Sequence, residues 1–495
     1  MAKNFNSSLN RLPDFDRMQQ ALLEEKGPVC VSGCVDSQLV HLARELTGGR
    51  GRVLFLTYHE IKARQIWEDA RLFFPEASLY PARDLLFSQA DIRGSLLSRQ
   101  RMQSLQRLRE EENALVVSTV DALLCRMMSP SRLEKSCLNL SPGDIREPRE
   151  LARRLAEMGY ERESMVRMPG DFALRGGILD VFPLTLENPV RIEFFDNEVD
   201  SLRSFDTETQ RSLENITRLT ICPTQELGEA DGCLLDYLGP GDFLVLDEPE
   251  RLAEKAEAVA AEYQESALRR LEAGQGDTLL SLFRPEELWP RLDRPRCLIL
   301  TGLPYRGKPV PVSAAFSAEA RQIHAYGGQM DLLLADLKKM VRSQYRVLLL
   351  CASRSRAEWI ETRLQEEDLP AFYADNLQQE LFPGQILITR GTLHKSYEFP
   401  SIRLSIITEG DFLAKKKRSP RKSHRRGGPG LTRISELSVG DYVIHEDYGV
   451  GIFRGVVQKT VDDLITDYIQ IDFRDNAQVF TPVSLMNRIE KYASR

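Results

Sequence analysis

The chain has 495 residues, too many for one hydrophobic core, so roughly three to five domains are expected. Its hydrophobic share of 42% is that of a globular protein, and a net charge of −7 argues against a surface that binds nucleic acid everywhere, while leaving room for a local basic patch. No run approaches the roughly 18 uncharged apolar residues of a membrane span, and the start, MAKNFNSSLNRLPDF, lacks the apolar core of a signal peptide, so the expected location is cytoplasmic.

Residues 1–126 alternate strand and helix. PVCVSG (28–33), RVLFLT (52–57) and ALVVST (114–119) read as strands, with helical patterns at 36–46, 59–72 and 94–112. Strands separated by helices imply a parallel sheet covered on both faces. Over 127–213 the pattern changes: a helical stretch leads into short alternating runs broken by Gly-Gly and Glu-Asn-Pro, the signature of an antiparallel meander in a small α+β insert. Mixed α/β returns over 214–325 and again over 326–412, which reads as a third α/β domain. Residues 413–434 form a linker whose KKKRSPRKSHRR (415–426) carries 8 Lys/Arg in 12 positions, a run that serves equally as solvated spacer or as a contact for nucleic-acid phosphate. The strand-rich end, 435–495, suggests a small β-barrel.

The stretch VCVSGCVDSQLV has the frame of a phosphate-binding loop without its chemistry. Counted from Gly33, the second glycine of GxxxxGK[ST] is Gln38, the lysine is Leu39 and the hydroxyl residue is Val40. An apolar pair cannot neutralise phosphate or complete a magnesium shell, and Asp36 would repel the anion. VLDEP (245–249) resembles a metal-holding strand end, but without a lysine-bearing loop Asp247 and Glu248 read instead as caps of the following helix. The six histidines and eight cysteines show no metal-ligand spacing, and the cysteines read as buried, reduced thiols.

Two stretches carry a family resemblance. GDFALRGGILDVFPLTLENPVRIEFFDNEVDSLRSFDTETQRSLE resembles the module shared by the excision-nuclease subunit UvrB and the transcription-repair coupling factors. LSVGDYVIHEDYGVGIFRGVV, with DYIQIDFRDNAQVFTPVSLMNRIEKY after it, is similar to the CarD-like, RNA-polymerase-interacting domain of the coupling factors. The resemblance implies degenerate P-loop-ATPase-like α/β domains interrupted by the insert, and a CarD/Tudor-like barrel at the end. It implies a non-catalytic adaptor between RNA polymerase and UvrA, with ATP and magnesium belonging to a motor that does not occur in this sequence, and a UvrA face that in the family a C-terminal domain masks until the motor engages. An ATP-dependent UvrB-type damage loader and a polymerase-binding transcription regulator are the alternatives.

The family's UvrA-binding surface maps onto Arg175, Arg191 and Phe195. Alternation puts Arg191, Glu193 and Phe195 on one strand face and Ile192 and Phe194 on the other, toward the core. An arginine fork suits a partner carboxylate, and an aromatic among charges suits an anchor. The contact to the polymerase β subunit maps onto an edge strand at Val456, Val457, Gln458 and Lys459, where the family usually has leucine in place of Lys459. Ten acidic against six basic residues over 436–495 favour a protein partner for this domain over DNA.

Overall fold

In the computed structural model of the chain, the described residues are 9–24, 26–83, 94–226, 230–272, 282–377, 379–413, 441–445, 449–461, 464–472, 478–482 and 489–491. The chain divides into two compact units, one of Met1–Ala261 with Leu279–Leu413, the other of Glu262–Thr278 with Ala414–Arg495. The basic run 415–426 lies outside the described residues.

Within the first unit, a seven-stranded parallel sheet runs in the order Ala314–Ser317, Val29–Ser32, Cys297–Leu300, Phe243–Asp247, Arg52–Thr57, Ala114–Thr119, Ser78–Tyr80. Its inner strands are continuous apolar runs because both faces are covered: Leu54, Phe55, Leu244, Val245, Leu298 and Ile299 are all buried. The helices Gln38–Leu46, Glu60–Ala70 and Gly94–Glu110 fall where helical periodicity placed them, each a little shorter.

A second sheet of the same unit, in the order Arg321–Gln322, Tyr397–Phe399, Leu404–Thr408, Arg346–Cys351, Ile386–Arg390, Ala371–Tyr373, is parallel through its last four strands. One apolar cluster joins Val40, Leu42 and Phe73 to Leu348, Leu350, Leu387 and Ile406, so the two parallel sheets share a core. Inside it, His41 stacks on Phe73 with ring centroids 4.8 Å apart and hydrogen-bonds the Tyr397 hydroxyl at 2.9 Å. Burial pushes the His41 imidazole down to about 3, which keeps it neutral at physiological pH.

The insert leaves and rejoins through a two-stranded ribbon, Leu138–Leu140 against Leu219–Ile221. Beyond it lies the expected meander, a six-stranded sheet in the order Ser212–Asn215, Glu198–Phe205, Val190–Phe195, Ile178–Val181, Asp171–Arg175, Glu161–Arg162. All pairs are antiparallel except the last. Leu151, Ala152 and Leu155 of the helix Pro148–Glu157 pack against Phe172, Leu179 and Ile192 to close its core.

In the second unit, five antiparallel strands lie in the order Gln478–Pro482, Leu464–Asp472, Gly449–Val461, Tyr442–His445, Ile489–Lys491. Among the described residues the two outer strands do not pair with each other, so what is seen is a sheet, with no ladder closing it into a barrel.

Candidate functional site

Three neighbouring strands of the meander assemble the first site. Their register sets Asp180 opposite Ala173 on one side and Arg191 on the other. Asp180 is only 2% exposed, and the Arg191 guanidinium grips it with both prongs, Nε to Oδ1 at 2.8 Å and Nη2 to Oδ2 at 2.9 Å. Arg175 Nη2 reaches the same carboxylate more loosely, at 3.4 Å. Arg191 also lies over the Phe205 ring, 4.6 Å from its centroid, and its hydrogen bonds to Asp180 raise its pKa further.

The geometry therefore splits the three residues that the family resemblance groups together. Phe195 ends its strand at 78% exposure, before a turn in which Asp196 adopts φ 56°. The Arg175 side chain is half open at 52%, while that of Arg191 is 20% exposed and committed inward. Ile192 is fully buried and Phe194 half-buried, as alternation requires. Arg191 is thus no free fork for a partner carboxylate, because its own chain supplies one. Asp180 escaped the sequence reading; the available signal was a lone acid within the apolar run ILDVF, which needs a cross-strand cation once buried.

The Gly33 loop has the strand–turn–helix frame, with Gly33 at φ 71°, where an added Cβ would press to 3.2 Å from the Glu319 nitrogen. The three substituted positions all point into protein: Gln38 and Val40 are fully buried and Leu39 is 4% exposed. Gln38 Oε1 accepts from the Val35 N–H at 3.2 Å, so a side chain of the loop satisfies a backbone donor of the kind that would face phosphate. Asp36 is paired with Lys62 at 2.5 Å. Lys62 comes from the helix after the next strand, and only the unmatched acid at 36 hinted at it.

Glu248 holds the cap position of the helix Pro249–Glu272, its carbonyl accepting from the Leu252 N–H at 3.0 Å, while both carboxylates turn toward the sheet. Asp247 closes its strand by accepting from the Thr57 hydroxyl at 2.7 Å, and Glu248 Oε1 accepts from the Gly302 N–H at 2.8 Å. Asp247 is thus spent on the adjoining strand Arg52–Thr57, and Glu248 on the loop that follows the strand Cys297–Leu300. Burial lifts the Asp247 carboxyl to about 6 against the pull of Lys62 and Thr57. An acid raised above its unfolded value of about 3.9 is most favourable when protonated, so its contribution is complete below about pH 4 and is lost as pH rises to about 6. Asp247→Asn should therefore raise stability at pH 7 by about 1–2 kcal/mol, with the gain vanishing near pH 4, as denaturant melts at the two pH values would show.

In the C-terminal sheet, Val456, Val457, Gln458 and Lys459 pair with Ile469, Tyr468, Asp467 and Thr466. Their strand, Gly449–Val461, is central by order, yet the strand on its other side covers only Gly449–Ile452. Along 456–459 the second backbone edge is unpaired among the described residues, so an edge exists there even though the strand is not an outer one.

Two family models match the chain, one over the meander site and one over the C-terminal strand edge. Residues 138–227 match the UvrB interaction domain, and residues 437–493 match the CarD-like/TRCF RID domain. Over its whole length the chain is similar to transcription-repair-coupling factors. It is 29% identical to that of Bacillus subtilis over 99% of this chain and 47% of the relative. To that of Staphylococcus epidermidis it is 25% identical over 100% and 47%, and to that of Staphylococcus haemolyticus 25% over 92% and 44%. The chain spans about half the length of the curated relatives it matches. Among the described residues no helix is long and apolar enough to cross a membrane, and no cluster of His, Cys, Asp and Glu could hold a metal ion.

Proposed function

We propose that this chain is the partner-binding portion of a transcription-repair coupling factor, acting as an adaptor in the cytoplasm. It would hold UvrA through the meander module and the RNA polymerase β subunit through the C-terminal sheet. The observation that carries this reading is the presence on one chain of both domain matches, 138–227 and 437–493. Phe195 and Arg175 support the UvrA assignment as an exposed aromatic and a half-open arginine of the same sheet, residue types of a binding hot spot.

On this reading the seven-stranded sheet is a degenerate P-loop-ATPase-like scaffold, the terminal sheet closes as a CarD/Tudor-like barrel, and the chain itself takes no cofactor and catalyses no reaction. ATP and magnesium would serve a translocase motor in the longer relatives. The burial of Gln38, Leu39 and Val40 supports a structural role for the loop. DNA contact would come through the partners and the run 415–426. The test is capture of the chain on immobilised UvrA and on immobilised β subunit, each without ATP. Retention on both is expected. Retention on the β subunit alone would make the chain a transcription regulator, and ATP hydrolysis above background would favour a UvrB-type loader.

The polymerase contact can be probed at one residue. With the strand edge at 456–459 as the docking line, Lys459→Leu should hold or strengthen capture by the β subunit, and Lys459→Glu should weaken it about three- to tenfold. Equal affinities for both variants would place the contact elsewhere.

A further inference from the structure

The neck of the meander module holds two cysteines in register. The ribbon pairs Leu138 with Ile221, Asn139 with Thr220 and Leu140 with Leu219, and the same register carried one residue past its last pair puts Cys137 opposite Cys222. These two residues are where the chain enters and leaves the module. Directly opposed residues of an antiparallel pair have Cα atoms about 4.5–5.5 Å apart, inside the span of roughly 4.4–6.8 Å that a disulfide bridges. Each thiol bears on the other's ionisation, Cys222 drawing Cys137 down and Cys137 pushing Cys222 up. Arg109, in the last turn of the helix Gly94–Glu110, points Nη1 at Cys137 Sγ from 3.7 Å, and Tyr160 fixes the Cys222 carbonyl by donating to it at 2.8 Å.

We propose that Cys137 and Cys222 are a thiol–disulfide site that staples the base of the module when a peroxide oxidises it. Cys137 is the attacking thiolate. Its sulfur takes one oxygen of hydrogen peroxide, the O–O bond breaks, and hydroxide leaves as the sulfur becomes a sulfenic acid. The Cys222 thiol then attacks that sulfur; the S–S bond forms, the S–O bond breaks, and water leaves carrying the Cys222 proton. In sum, two thiols and one peroxide give one disulfide and two waters.

The other cysteines provide an internal contrast. All eight are free and buried. Burial raises the thiols of Cys30, Cys34, Cys125, Cys233, Cys297 and Cys351. Cys137 alone moves down, held there by the Cys222 S–H and then by the Arg109 guanidinium, against burial and the nearby Glu110 carboxylate.

The experiment exposes the full chain to hydrogen peroxide, alkylates the remaining thiols with iodoacetamide and maps linked peptides by mass spectrometry. A Cys137–Cys222 cross-link is expected as the main product, with Cys137 of the reduced protein alkylated at least about tenfold faster than the six cysteines outside the pair. Cys222→Ser should stop at a sulfenic acid on Cys137 that dimedone traps, and Arg109→Gln should slow the alkylation. No cross-link, a different pairing, or a Cys137 no faster than the rest would overturn the proposal. The mapping on the unsubstituted protein decides the matter even where a variant fails to fold.

Discussion

Replacing Phe195 by alanine is expected to weaken UvrA binding by about 2–4 kcal/mol, roughly 30- to 1,000-fold, with almost no change in folding stability. The ring is 78% exposed, so the folded chain gains little from it and an interface can gain much. Arg191→Ala should behave differently. It strips Asp180 of its two-pronged partner and leaves a carboxylate that is 2% exposed with one contact, to Arg175 at 3.4 Å. Breaking a buried pair from one side is costly, so a stability loss of about 2–4 kcal/mol should accompany any loss of binding. Asp180→Ala added to Arg191→Ala should cost less than the sum of the two, because the orphaned charge is gone. Thermal melts beside UvrA titrations of the variants check this. A Phe195 variant that melts as early as the Arg191 variant, or that binds UvrA normally, would contradict it.

The second large effect concerns an attempted repair of the nucleotide loop. Rebuilding the motif with Gln38→Gly, Leu39→Lys and Val40→Thr should destabilise the first unit by about 3–5 kcal/mol and produce no ATP binding. Leu39 and Val40 belong to the core shared with the second parallel sheet, so the new ammonium would be buried without a counter-ion. Against a total stability of about 5–15 kcal/mol, that loss is large enough to populate unfolded protein. Loss of the Gln38 side chain would also free the Val35 N–H it now satisfies. Calorimetric titration with ATP and a denaturant melt are the measurements; a folded triple variant with micromolar ATP affinity would show that the lost side chains, and not the packing, had closed the site.

Both predictions turn on features that a linear reading cannot see. Periodicity located the long helices and the inner strands because apolar runs such as RVLFLT and ALVVST have no other use for their side chains than a doubly covered sheet. It overlooked Ser78–Tyr80, Ala371–Tyr373 and Tyr397–Phe399, each three residues long, too short for alternation to register. The shared core of the two parallel sheets was equally hidden. His41 and Tyr397 lie 356 positions apart, and neither shows by its neighbours that it faces the other.

For the sites, the sequence by itself determined which side chains exist to do chemistry. The absence of lysine and hydroxyl at 39 and 40, and the alternation that turns Phe195 outward and Ile192 inward, follow from residue order and the two-residue period of a strand. Which charges remain available was decided by tertiary structure alone. Arg191 and Arg175 look alike on paper, and only strand register sets the first against Asp180 with two short hydrogen bonds and leaves the second half in water. Asp36 looks like a bare acid until Lys62 arrives from another element, and Cys137 and Cys222 look unrelated until the ribbon pairs their neighbours Leu138 and Ile221. The physical reason is the same in each case. The partner of a buried charge or thiol is chosen by proximity in space, within a few ångströms, and sequence separation carries no information about that distance.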